Sequence, residues 1–228
     1  NQALTVAEQD DTVRCVVITG ARRAFSSGQD IDEIVHIEAT EGVGGIGLEL
    51  RDRYAPLIIR LRESHKPFVA AVNGIATGAG LAIALACDVR IAVDSATFVT
   101  APYRIGLMPA VGLSILLPAI LGLGRAMDFC ALYDRVDAET ALQAGMVSRV
   151  VPADKLIEEA LKAAETIASM SQPILMMTKD SVNRAFETTL AEGLLFERRT
   201  FHPMFATEDQ KEGMAAFVEK RKPNFKDQ

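Results

Sequence analysis

The chain has 228 residues, of which 49% are hydrophobic and 24% charged, the proportions of an ordinary water-soluble globular protein. A formal net charge of −6 with no basic stripe argues against a nucleic-acid partner, and no apolar run approaches the about 18 residues of a membrane-spanning helix. Three scattered cysteines, Cys15, Cys87 and Cys130, lack metal-ligand spacing; with no visible signal-peptide pattern they lead us to expect reduced core thiols, no metal site and a cytoplasmic protein.

Residues 1–9 read as the end of an amphipathic helix, from which we expect that further sequence normally precedes it. VRCVVIT, 13–19, is β-branched and ends in Gly20, so it predicts a buried strand. ARRAFSSGQD, 21–30, reads as a polar loop, 31–37 as a helix, and 39–47, with four glycines, as a mobile segment. Leu50, Tyr54, Leu57, Ile58 and Leu61 fall at helical spacing within 48–64. Pro67 closes that helix and FVAAVN, 68–73, is a second strand. Asn73-Gly74 turns the chain into GAGLAIALA, 78–86, which is apolar on every side and predicts a fully buried helix.

Residues 88–93 and 96–100 read as strands, 111–121 and 125–132 as helices separated by GLG, 138–144 as a helix and 147–151 as a short strand. Helices follow at 153–169, 173–187, 189–202 and 208–220. Strand, loop and helix alternate to about residue 152 and helices alone follow. The expected organisation is an α/β core over 1–152 and a helical region over 153–228.

Chemistry is suggested first by NGIATGAGLAIALACD, 73–88. The N–H groups of a first helical turn have no partner within the helix, and the helix dipole makes that end electropositive. Gly78 and Gly80 let a ligand oxygen approach Ala79 closely. Taken alone, the same glycines equally serve close helix packing. The pattern is no dinucleotide fingerprint, because Ile83 holds the place of its third glycine. In AFSSGQDI, 24–31, a small-residue turn presents the N–H of Gln29, a weak signal by itself.

These segments together resemble the crotonase, or enoyl-CoA hydratase/isomerase, superfamily. VRCVVITG, AFSSGQDIDEI, KPFVAAVNGIATGAGLAIALACDVRIA, ATFVTAPYRIGLMPAVG, ALQAGMVSRVV and EGMAAFVEKRKPNF carry the likeness, in order, over nearly the whole chain. GQDI, GAG and LMPAVG look most like the phenylacetyl-CoA-pathway ring-epoxide isomerase branch. The resemblance implies a spiral of strand–strand–helix repeats with a C-terminal helical trimerisation region, assembling as trimers or hexamers. It implies an acyl-CoA substrate, coenzyme A entering as part of that substrate, and no permanently bound cofactor. The N–H groups of Gln29 and Ala79 would form an oxyanion hole for the thioester. Arg22, Ala24, Ser26, Gly28, Asp30, Ile31 and Gly78 would border the CoA site, with Asp30 holding its own loop, and Phe217 and Lys220 would meet CoA across subunits.

The sequence departs from that family at the acids. Ala82 and Pro102 stand where hydratases carry two glutamates, and Ala110 stands where some isomerases and dehalogenases carry their acid. Two-carboxylate hydration is therefore not expected. Tyr103, beside Pro102, is the candidate proton donor; its bland alternative is packing beneath the helix. Thr77 and Thr100 suit water binding, while His36, His65 and His202 suggest no partner. The resulting expectation is an isomerase or lyase working through an enolate. Its rivals are a non-catalytic acyl-CoA-binding or scaffold homologue and, against the acidic composition, an RNA-binding protein.

Overall fold

The computed structural model describes residues 1–100, 106–133 and 135–227. It is a spiral. Helix α1 (Gln2–Gln9) is followed by three turns that each lay one strand in one parallel sheet, the next strand in a second sheet, and then helix. The first turn is β1 (Val16–Thr19), β2 (Ala24–Ser26), α2 (Ile31–Glu49) and α3 (Ala55–Glu63). The second is β3 (Phe68–Val72), β4 (Ile75–Thr77) and α4 (Ala79–Ala86). The third is β5 (Val89–Val93), β6 (Thr97–Val99), α5 (Leu113–Leu121) and α6 (Leu123–Ala131). β7 (Val136–Asp137), α7 (Ala138–Gln143) and β8 (Arg149–Val151) close the spiral, and α8 (Leu156–Ala168), α9 (Gln172–Asn183), α10 (Leu190–Met204) and α11 (Glu208–Glu219) complete the described chain. None of the described helices is long and apolar enough to cross a membrane.

The first sheet runs β1-β3-β5-β8, all parallel, and the second β2-β4-β6-β7, with β7 antiparallel at its edge. β3 lies inside the first sheet and is buried along its whole length. That explains why FVAAV is continuously apolar rather than alternating. α8 packs across β1, β3 and β5. α4 lies in the core, and of its eight residues all but Ile83 are buried. Burying Leu81 and Leu85 stabilises this helix by roughly 1.5–3 kcal/mol each.

Three short strands were not legible in the periodicity. β2 falls within the expected polar loop 21–30, β4 follows the Asn73-Gly74 turn and β7 precedes α7. Runs of two or three residues are too short to express a period-2 pattern. Hydrogen bonds beside them fix the turn instead. The Asn73 side chain accepts from Gly20 N–H at 3.0 Å and donates to the carbonyls of Gly20 and Arg22 at 3.1 and 2.8 Å.

The glycine-rich segment 39–47 also differs from expectation: it is helical. α2 continues through it with one break at Gly42 (φ 67°, ψ −168°), and a π-helical turn, Leu50–Tyr54, joins it to α3. Gly45 is used for close packing, since a Cβ there would lie 2.6 Å from Glu41 Cβ and 2.8 Å from Ile37 Cγ2.

Behind α11, the terminal residues fold back. Buried Asp209 accepts the N–H groups of Lys226 and Asp227 at 2.7 and 3.0 Å, and the Asp227 carboxylate pairs with Arg14.

Candidate active site

Two turns meet where β2 and β4 run into helices. Gly80, in the first turn of α4, packs against β2 so closely that a Cβ would lie 2.4 Å from Ser26 Cβ. Gly28 (φ +91°) passes over the strand–helix junction of α4: a Cβ on it would lie 2.7 Å from the Thr77 carbonyl oxygen and 3.6 Å from the Ala79 nitrogen. Glycine is required here both for its left-handed backbone and for the closeness of the approach. Gly78 (φ +52°) donates to Val99 O at 3.1 Å and accepts from Ala82 N–H at 3.0 Å, which locks the peptide before Ala79. Asp30 caps α2 by accepting Asp32 N–H at 3.0 Å.

The N–H groups of Gln29 and Ala79 have no acceptor among the described residues. Both residues line a cavity of about 190 Å3 together with Ser27, Gly28, Thr77, Gly78 and Thr100. Its remaining walls are apolar: Ile31 and Ile34 from α2, Val99 from β6, Leu113 from α5, and the connection Leu107 to Val111. Ile34, Val99, Leu107, Met108, Val111 and Leu113 carry no polar signature, and their presence here, like that of Ser27, could be found only from the fold. A larger hollow of about 520 Å3 lies between α6 and α7, bordered by Arg125 and Asp137. The smaller cavity is the one that joins the two glycine turns.

Of the residues expected from sequence, Gly28, Gln29, Ile31, Gly78 and Ala79 come together in this cavity. Ala24 and Ser26 lie in β2 just before it, Asp30 between two of its lining residues, and Arg22 in the preceding loop. Phe217 and Lys220, at the end of α11, do not line it within one chain; Phe217 is 82% exposed. Pro102 and Tyr103 lie outside the described residues.

No carboxylate, histidine or cysteine is among the described lining residues. Ala110 lies in the wall, and Ala82 is fully buried in the core cluster behind it. Thr100 is buried and its hydroxyl donates to the Phe129 carbonyl at 3.1 Å. Burial pushes the Cys15 thiol up to about 11 and Cys87 up to about 12, so neither is a thiolate nucleophile at neutral pH. Tyr54 ends the π-helical turn partly buried: burial raises its phenol above the ordinary value, and the nearby Gln29 side chain opposes that rise. Twenty-five positions separate these residues, so their meeting could not be read from spacing.

The fold is thus an α/β spiral in which two glycine turns border a largely apolar cavity. The enoyl-CoA hydratase/isomerase family model matches residues 1–228. A probable enoyl-CoA hydratase of Rhizobium meliloti is 45% identical over 98% of this chain and 84% of its own length. The 1,2-epoxyphenylacetyl-CoA isomerase of Escherichia coli is 37% identical over 98% of this chain and 85% of its own. A crystal structure of an enoyl-CoA hydratase subunit I from Geobacillus kaustophilus superposes with a TM-score of 0.90 at 38% identity, covering 100% of this chain and 86% of the other. The chain belongs to the enoyl-CoA hydratase/isomerase family, the crotonase superfamily.

Proposed function

We propose that the cavity binds the thioester carbonyl of an acyl-CoA and stabilises its enolate through the N–H groups of Gln29 and Ala79. The observation that carries this reading is the pair of donors without acceptors among the described residues, on two abutting turns, with Ala79 at the electropositive start of α4. Such donors are aimed where negative charge develops, and each is typically worth about 3–4 kcal/mol of transition-state stabilisation. Apolar walls hold the acyl chain and keep water from the oxyanion, which strengthens both hydrogen bonds. Coenzyme A arrives with the substrate, and no resident cofactor is required.

The reaction we favour is isomerisation or C–C cleavage rather than rapid hydration. In an isomerisation the α-carbon loses a proton, its C–H electron pair moves into the thioester as an enolate, and a proton returns at the γ-carbon. Ala82 and Pro102 support the choice against hydration, because each removes a carboxylate that water activation would use, while Ala110 removes the acid of some isomerases and leaves proton transfer to another group. Tyr103 is the candidate proton-handling group. Arg22, Ala24, Ser26, Gly28, Asp30, Ile31 and Gly78 border the bound CoA, while Phe217 and Lys220 serve a neighbouring chain's site in a homotrimer or hexamer.

Purified protein offered crotonyl-CoA, a β,γ-enoyl-CoA and a malonyl-type CoA should convert the second or third faster than it hydrates the first. Fast hydration of crotonyl-CoA would overturn the preference for isomerase or lyase chemistry. Binding of all three without turnover would leave a carrier of acyl-CoA, and absence of binding would remove the thioester site altogether.

A further inference from the structure

Val111 has φ +56°, a left-handed backbone that a β-branched side chain rarely adopts. Gly112 follows at φ +84°, and Leu113 N–H donates to the Ala110 carbonyl at 3.0 Å. Ala110 to Leu113 is therefore a tight turn with two left-handed residues at its centre. The second of these is a glycine for two visible reasons. Its φ of +84° is left-handed, and a Cβ there would lie 3.2 Å from Ile58 Cγ2 of α3; its carbonyl accepts Ile115 and Leu116 N–H at 3.1 and 2.8 Å, which starts α5. Nothing in the turn itself calls for valine at the first; glycine or asparagine would fit there without strain. What distinguishes Val111 is its place: it lines the cavity and packs, half-buried, against the core.

Backbone strain of this kind persists where surrounding structure holds it, and it gathers at ligand sites. Resting on the reading of the cavity as a thioester site, we infer that Val111 is a specificity-determining residue, a rigid plug whose branched side chain limits the acyl group to short, unbranched chains. A β-branched side chain has few rotamers, so it cannot swing aside as a leucine or methionine does. Ile31 and Ile34, which also line the cavity, lie on one turn of α2, whereas Val111 stands on a separate turn and can be removed by one substitution.

The test compares four-carbon and eight-carbon 2-enoyl-CoA and β,γ-enoyl-CoA thioesters in the wild-type chain, Val111→Gly and Val111→Leu, by calorimetric affinity and by kcat/KM for whichever series turns over. Val111→Gly should raise the eight-carbon to four-carbon ratio at least about tenfold, the scale set by a methylene group or two in an apolar pocket. Val111→Leu should lower it. Val111→Gly should also melt no lower than wild type, because removing the strain offsets the greater freedom of glycine in the unfolded chain. Unchanged ratios in both variants, in a wild type that binds these thioesters, would overturn the plug and leave the thioester site standing. A wild type that binds neither chain length overturns both. Should Val111→Gly fail to fold, Val111→Ala carries the same expected direction.

Discussion

The donor proposed at Ala79 belongs to the backbone, so ordinary side-chain substitutions leave it in place. Proline is the exception. It removes the N–H yet is well accommodated at the first position of a helix, where its fixed φ is already the helical one. Ala79→Pro should therefore lower kcat/KM by about 10²–10³. Its melting temperature should move by no more than about 4 °C, the equivalent of about 1 kcal/mol in a chain of this size. Steady-state kinetics beside a thermal melt separates the two quantities; equal activity would remove Ala79 N–H from the oxyanion site. Gln29 and Ala79 were legible in the sequence because glycines mark their turns. Tyr54 was not, because it comes near Gln29 only through the course of α2 and the π-helical turn that follows it. Val111 was equally invisible: a valine in a loop gives no sign that its φ is positive.

Among the elements, α9 is tied to the first sheet by one buried ion pair. Lys179 Nζ lies 2.9 Å from Asp88 Oδ2 and donates to the carbonyls of Leu61 and Lys66 at 2.9 and 3.3 Å. Asp88 also accepts Phe68 N–H at 2.8 Å, so the same carboxylate holds the start of β3. Lysine in this position is satisfied on every side, which is the condition for burying it. Lys179→Met keeps the volume but leaves Asp88 without its counter-ion and two carbonyls without a donor. The expected loss is about 3 kcal/mol in urea unfolding, at the low end for such pairs because the Asp88 side chain keeps 20% exposure. An unchanged midpoint would mean that solvent already screens the pair. Helix α9 itself was legible from its apolar spacing; that it carries a buried cation was not, since Lys179 reads like any surface lysine.

For the whole molecule, the surface left by α10 and α11 is the feature to explain. No residue of α10 is buried, and Leu190, Leu194, Phe201 and Phe205 are exposed along it, with Phe217 and Val218 on α11. The rings of Phe201 and Phe205 meet edge to face at 5.4 Å. Monomeric proteins rarely leave so large an apolar face in water. In the assembly proposed above, this face is covered by other copies of the chain. Sedimentation should give the mass of three or six chains. Phe201→Asp with Phe205→Asp should shift it to one chain, with little change in the spiral's circular dichroism. A wild type that sediments as a monomer would refute the assembly.

By itself the sequence determined the α/β class, the long helices, the central strands and the two glycine turns. These are written in local patterns: continuous apolar runs for β3 and α4, helical spacing for α3, Asn-Gly and Gly-Ala-Gly where the backbone must turn sharply. Only the tertiary structure decided the short strands β2, β4 and β7, the helical course of residues 39–47 and the composition of the cavity wall. A strand of two or three residues exists because a neighbour supplies its hydrogen bonds, and a glycine-rich segment is helical because Gly45 lets Ile37 and Glu41 close over it. A cavity is bounded by whichever side chains the spiral brings around it, so residues as far apart as Ile31 and Leu113 become neighbours through packing that no local pattern encodes.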